Sequence, residues 1–239
     1  MRMRSSKVVV FLLTFFILLS QVFTSSFALA DNKVPFTIFH TNDMHGRLGY
    51  EEYKGKPTSF GSAREKALID KEKKENPNRT VIALDAGDAF QGLPVSNQSK
   101  GQDMAKAMNE IGYKAMAAGN HEFDFGLDTV EKYKNNPQNG GWLNFPILST
   151  NVYKDGKRLF EPSTIINENG VKIGIVGVTT PETATKTNPT GIKGVTFKKP
   201  IPEVTNEITR IKDKVDFIAV LAHLGDDTTT LEDEKGSAL

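Results

Sequence analysis

The sequence predicts an α/β fold in which strands and helices alternate. Three observations carry that expectation. Short, β-rich apolar runs alternate with amphipathic stretches of helical period along the chain. That order is the signature of layered α/β architecture. Asp, His and Asn residues also stand just after the predicted strands, where open α/β sheets bind ligands.

Taken in order, Phe36 to His40 (FTIFH) reads as a buried strand. Gly61 to Glu75 has helical character, with Ala63, Ala67 and Leu68 available for packing, and Asn76-Pro77-Asn78 ends it. Thr80 to Leu84 is a second strand. Asp103 to Ile111 places Met104, Ala107, Met108 and Ile111 on one helical face. Ala115 to Ala118 is a weaker strand, Leu127 to Tyr133 a short helix, and Pro146 to Thr150 a fourth strand. Ser163 to Asn167 and Val171 to Val178 flank Asn169-Gly170, a hairpin signal. Pro200 to Lys212 reads as a helix that tolerates Pro202 in its first turn. Asp216 to Leu221 is the last buried strand. There are no repeats, no low-complexity tract and no interdomain linker.

The first thirty residues have a different character. Arg2, Arg4 and Lys7 precede an apolar run, Val8 to Leu19, broken only by Thr14. Ala28-Leu29-Ala30 supplies the small residues of a cleavage site before Asp31. Residues 1–30 are expected to be a signal peptide. The run is short for a membrane span, so no stable span is expected after cleavage. The protein is then exported, to the extracellular space, cell wall or periplasm.

Of 239 residues, 38% are hydrophobic and 25% charged, ordinary for a globular protein. Removing the three leader cations takes the formal charge from +1 to −2. That balance predicts no nucleic-acid polymer as partner and no polybasic membrane surface. Cysteine is absent. Any metal site must use His, Asp, Asn and similar ligands.

Four segments offer such groups. Asp43-Met44-His45 could present a carboxylate and an imidazole together, since residues i and i+2 of an extended chain point the same way. Gly87-Asp88 could turn sharply after its strand and place a carboxylate at the rim. Gly119 to Asp124 (GNHEFD) follows a strand and precedes a helix. Asn120 offers a neutral oxygen, His121 is a candidate acid or charge stabiliser, and Asp124 could accept its other ring N–H. His223 follows the last strand. Taken singly, the Asp43, Asp88 and His223 segments read more readily as a turn, a cap or a structural histidine, and GNHEFD alone favours function over a capped helix start. Three of the four histidines fall in these segments, which strengthens the joint reading. His40, in the strand body, reads as packing or support.

Together the stretches FTIFHTNDMHGRL, LDAGDAFQGLPVS, MNEIGYKAMAAGNHEFDFG, LSTNVY and LAHLGDD resemble the metallophosphoesterase domain of the 5'-nucleotidase family. That family includes UDP-sugar hydrolases and 2',3'-cyclic-nucleotide phosphodiesterases. The resemblance implies a four-layer α/β/β/α sandwich holding two divalent metal ions, with Zn, Mn, Fe and Co all suited to such ligands. Asp43 and His45 would bind one metal, Asp88 would bridge both, and Asn120 and His223 would bind the other. His121 and Asp124 would form the catalytic dyad. The implied chemistry is hydrolysis of a nucleotide or related phosphoester by a metal-activated water. A UDP-sugar or cyclic-nucleotide substrate, or an inactive fragment, are the alternatives.

One departure stands out. The family's G-H-x-H segment is absent from this sequence. Residues 31–239 are therefore expected to be a catalytic domain truncated before that segment, without the downstream nucleotide-binding domain and with little or no turnover of their own.

Overall fold

The strand from Thr80 to Asp85 is buried along its whole length because it lies between two apolar layers. Val81 and Ala83 face one cluster, and Ile82 and Leu84 face another. This is the two-residue period of a strand covered on both faces. The computed structural model describes residues 34–225. The expected leader, its cleavage after Ala30 and the polar stretch beyond Gly225 lie outside them.

The chain begins with β1 (Phe36–Thr41) and a small hairpin, β2 (Glu51–Tyr53) and β3 (Lys56–Ser59). Helix α1 (Ser62–Glu75) leads to β4 (Thr80–Asp85). Helices α2 (Pro94–Gln98) and α3 (Gln102–Ile111) precede β5 (Tyr113–Ala117). Helix α4 (Leu127–Lys134) precedes β6 (Ile147–Leu148), β7 (Val152–Lys154) and β8 (Lys157–Arg158). The hairpin β9 (Ser163–Glu168) and β10 (Val171–Thr179) follows, then α5 (Thr183–Lys186) and β11 (Val195–Phe197). Helix α6 (Pro200–Ile211) and β12 (Phe217–His223) complete the described fold.

Two sheets form the centre. The first is parallel, in the order β1-β4-β5-β6. The second runs β12-β10-β9, with β12 parallel and β9 antiparallel to β10. Ile82, Leu84 and Ala117 of the first sheet pack with Ile173, Ile175 and Leu221 of the second. On the far side of the first sheet, Ile69, Met104, Met108 and Tyr133 from α1, α3 and α4 cover Val81, Ala83 and Met116. On the far side of the second, Ile211 of α6 lies over Gly174. The layers are therefore α/β/β/α.

The predicted hairpin forms, with Asn169 (φ 54°) and Gly170 (φ 85°) in the left-handed conformations that a tight turn requires. The expected strand from Pro146 to Thr150 shrinks to two residues. Beyond it, Asn151 spends its side chain on the second sheet: Oδ1 accepts from Thr179 N at 3.0 Å and Nδ2 donates to Thr179 O at 2.7 Å. The β2–β3 hairpin and the β11-β7-β8 sheet were not legible, because their strands are short and mostly exposed. His40 does not pack as expected; it is exposed on β1.

Candidate metal centre

The candidate residues gather at the carboxyl ends of β1, β4 and β5 and, across the inter-sheet gap, of β12. One rim is thus built from two sheets.

Asp43 and His45 do not come together through extended backbone. Both have left-handed dihedrals, φ 52° and φ 47°, and Asp88 shares them at φ 60°. Such conformations cost a non-glycine residue of order 1 kcal/mol each. Backbone pairing holds them, because the loop after β1 continues to bond the loop after β4. Asp43 N donates to Gly87 O at 2.9 Å, His45 N to Asp88 O at 3.0 Å and Gly46 N to Ala89 O at 2.9 Å.

The ligand atoms of Asp43, His45 and Asp88 lie within 4.8 Å of one another. His45 Nε2 is 3.6 Å from Asp43 Oδ1. Its Nδ1 lies 2.9 Å from Gln91 O. A carbonyl only accepts, so Nδ1 carries the proton and Nε2 offers its lone pair to the cluster. His223 repeats the arrangement: Nδ1 donates to Ala86 O at 3.0 Å, and Nε2 lies 3.2 Å from both Asp88 Oδ2 and Asn120 Oδ1. Four candidate ligands therefore meet around a fifth, Asp88, whose side chain is only 4% exposed.

His121 stands beside this cluster, its ring 5.4 Å from that of His45. His121 Nδ1 lies 2.7 Å from Asp124 Oδ2. Asp124 also accepts from the Thr187 hydroxyl. The carboxylate thus fixes the ring and leaves Nε2 free to act. The backbone N–H of His121 donates to Asp88 Oδ1 at 2.8 Å.

Burial opposes the Asp88 carboxylate, yet the His223 hydrogen bond and charge and the His121 N–H outweigh it and hold Asp88 below its usual range. Burial likewise opposes a charged His223, but Asp88 and the carboxylates of Glu122 and Asp43 push it up to about 9. For His121, burial is again overcome, here by Asp124 and Asp88, and its affinity for a proton rises. Among the described residues, no lysine or arginine pairs with Asp43 or Asp88. The rim is rich in acceptors and poor in fixed cations, which suits a divalent cation. Hard carboxylate and amide oxygens with imidazole nitrogen and no thiolate are the donor set of such a site.

One central residue escaped the sequence reading. Glu122 is fully buried, and its carboxylate accepts three backbone N–H groups: Asp88 and Gly119 on Oε2 at 2.8 and 2.6 Å, and Ala89 on Oε1 at 2.9 Å. It ties the Asp88 turn to the Asn120 turn. Burial first, then the nearby Asp88 charge, push its carboxyl up to about 7. No local signal marks it, because its donors lie in the turns after β4 and β5, which only the fold brings together. A cleft of about 680 Å³ opens beside the cluster, lined by His40, Asn42, Asp43, Ala86 and His223 among others.

This layered fold is that of a phosphoesterase. A family model described as calcineurin-like phosphoesterase matches residues 36–237. The chain belongs to that family, whose members bind divalent metal ions. It is similar to a 5'-nucleotidase of Vibrio cholerae, 40% identical over 202 residues, covering 82% of this chain and 35% of the relative. It is similar to protein UshA of Escherichia coli, 34% identical over 234 residues, covering 94% and 40%. The crystal structure of a 5'-nucleotidase precursor from Thermus thermophilus superimposes with a TM-score of 0.65 at 33% identity, over 77% of this chain and 36% of that one. The chain spans about a third of the length of the curated relatives it matches. Among the described residues, no helix is long and apolar enough to cross a membrane.

Proposed function

We propose that this chain carries the metal-binding half of a 5'-nucleotidase-type active site, and that the protein it serves hydrolyses nucleotide phosphoesters. The observation that carries this is the convergence of Asp43, His45, Asn120 and His223 around the buried carboxylate of Asp88 in a phosphoesterase fold. The similarity to 5'-nucleotidases supports nucleotides as the substrate class.

Asp43 and His45 would hold one cation and Asn120 and His223 a second, with Asp88 between them. Bound divalent cations at such a site neutralise phosphate charge and lower the pKa of a water to near neutrality. The chain's own groups do the rest. The Nδ1 protons of His45 and His223 are committed to Gln91 O and Ala86 O, so both rings turn Nε2 toward the cluster. Asp124 holds His121 with Nε2 outward. That nitrogen can donate a hydrogen bond to a phosphate oxygen or deliver a proton to the departing alkoxide. The adjacent cleft gives the phosphoester access from solvent.

The test is calorimetric titration of Mn²⁺ into the purified chain and its Asp88→Asn variant, with phosphate release from AMP followed before and after chelation. Mn²⁺ binding that is lost in the variant is expected, with little or no phosphate release from this chain alone and any release abolished by the chelator. Equal Mn²⁺ affinity in both proteins rejects the ligand assignment.

A further inference from the structure

Behind the metal cluster, four side chains form a series of short oxygen contacts that hydroxyl protons alone cannot satisfy. Asp85 Oδ2 lies 2.7 Å from Thr41 Oγ1, and Thr41 Oγ1 lies 2.7 Å from Tyr113 Oη. Tyr113 Oη is hydrogen-bonded in turn to Glu65 Oε1. The first two separations are normal for O–H···O hydrogen bonds. Three contacts in series need three protons, and Thr41 and Tyr113 bring one each. If Thr41 donates to Asp85 and Tyr113 to Glu65, the middle contact sets two lone pairs face to face at 2.7 Å. One carboxyl proton at either end removes that conflict, because every hydroxyl can then donate in the same direction.

Burial decides which end carries it. Asp85 is the last residue of β4 and is 0% exposed. Among the described residues, no lysine, arginine or histidine forms an ion pair with it. Glu65, on α1, is only half-buried. A buried, unpaired carboxylate is far costlier than one that reaches water. Burial raises the proton affinity of both groups, and that of Asp85 well above its usual range.

We infer that Asp85 is a neutral carboxylic acid that donates to Thr41, Thr41 to Tyr113 and Tyr113 to an ionised Glu65, and that this neutral acid is the positioning residue for the Gly87-Asp88 turn. Its other oxygen, Oδ1, accepts the Gly87 N–H at 2.8 Å. Thr41 lies two residues before Asp43. The chain of bonds therefore braces both loops that carry Asp43, His45 and Asp88 against β5 and α1. A neutral acid does so without adding a further negative charge near Glu122. The positioning role rests on the metal reading proposed above, whereas the proton does not.

Infrared difference spectra of the full 239-residue chain at neutral pH test the proton. Wild type minus Asp85→Asn is expected to show the C=O stretch of a protonated carboxylic acid, with any contribution from Glu122 common to both proteins. Glu65→Gln is expected to keep that band. Calorimetric titration with Mn²⁺ tests the positioning. Asparagine reproduces the donor toward Thr41 and the acceptor toward Gly87, so Asp85→Asn should bind Mn²⁺ as wild type does. Asp85→Ala should bind about 10–100-fold more weakly. No acid band in the difference spectrum, or a band lost in Glu65→Gln, overturns the protonation of Asp85. Equal Mn²⁺ affinity in wild type, Asp85→Asn and Asp85→Ala overturns its positioning role.

Discussion

Gly119 lies against the carboxylate of Asp88: a Cβ on Gly119 would sit 2.2 Å from Asp88 Oδ1 and 2.6 Å from its backbone nitrogen. No side chain fits there without moving the residue around which the site is arranged. Its φ is not in the left-handed region, so the objection to alanine is steric alone. Gly119→Ala is expected to destabilise the fold by about 1–3 kcal/mol through overpacking and to weaken Mn²⁺ binding with it. Urea unfolding and calorimetry on the same preparation check both. Wild-type stability and affinity in this variant would show that the contact relaxes freely.

Glu122→Gln probes the buried acceptor. A carboxylate only accepts, whereas an amide brings its own N–H groups. Three backbone donors converge on Glu122, so the glutamine NH₂ must face at least one of them. A loss of about 1–3 kcal/mol is expected for the donor left unpaired. The midpoint of urea unfolding at neutral pH reads it, and an unshifted midpoint would contradict the three-donor arrangement.

His121→Ala separates proton chemistry from metal binding. His121 contacts Asp88 through its backbone N–H, which alanine keeps, and through no side-chain bond. Metal content by elemental analysis should stay near wild type. In the protein that shows turnover, phosphate release from AMP should fall by about 10²–10⁴-fold, the usual worth of a positioned acid. Metal loss in His121→Ala would place that ring among the ligands instead.

Away from the rim, Glu207 of α6 governs part of the acid stability. Burial opposes its charge, but hydrogen bonds from Arg210 and Ser163 outweigh burial and hold it below its usual value of 4.5. A depressed folded value means stability that is present above about pH 4.5 and lost as pH falls through the lower, folded value. Glu207→Gln should therefore cost about 1 kcal/mol at pH 7, given that Arg210 is largely exposed, and less at pH 3. Urea titrations at the two pH values check the sign. An equal deficit at both would mean the loss is packing and not charge.

Among the described residues, β12 is an edge strand, and Val220 on it is 42% exposed. An open apolar edge invites pairing between chains, and lysine blocks it. Val220→Lys is expected to raise the concentration at which light scattering begins, while leaving the thermal midpoint near wild type. Unchanged scattering would clear this edge as an aggregation site.

The sequence determined the elements whose local pattern was strong. The apolar run of β4, the helical face of Met104, Met108 and Ile111, and the Asn169-Gly170 turn all follow from neighbours along the chain. It also named the candidate site residues, because Asp43, His45, Asp88, Asn120, His121, Asp124 and His223 stand just after strands and match one family's motifs. Tertiary structure alone decided how they meet. Asp43 and His45 are brought together by left-handed backbone held by bonds from the loop after β4, contacts some 45 residues distant in sequence. His223 reaches Asp88 from a second sheet, and only the packing of Ile82 and Leu84 on Ile173 and Ile175 sets that separation. The roles of Glu122 and Asp85 were invisible for the same reason. A buried carboxyl group is defined by the donors around it, and those donors come from backbone turns and strands that no local pattern brings together.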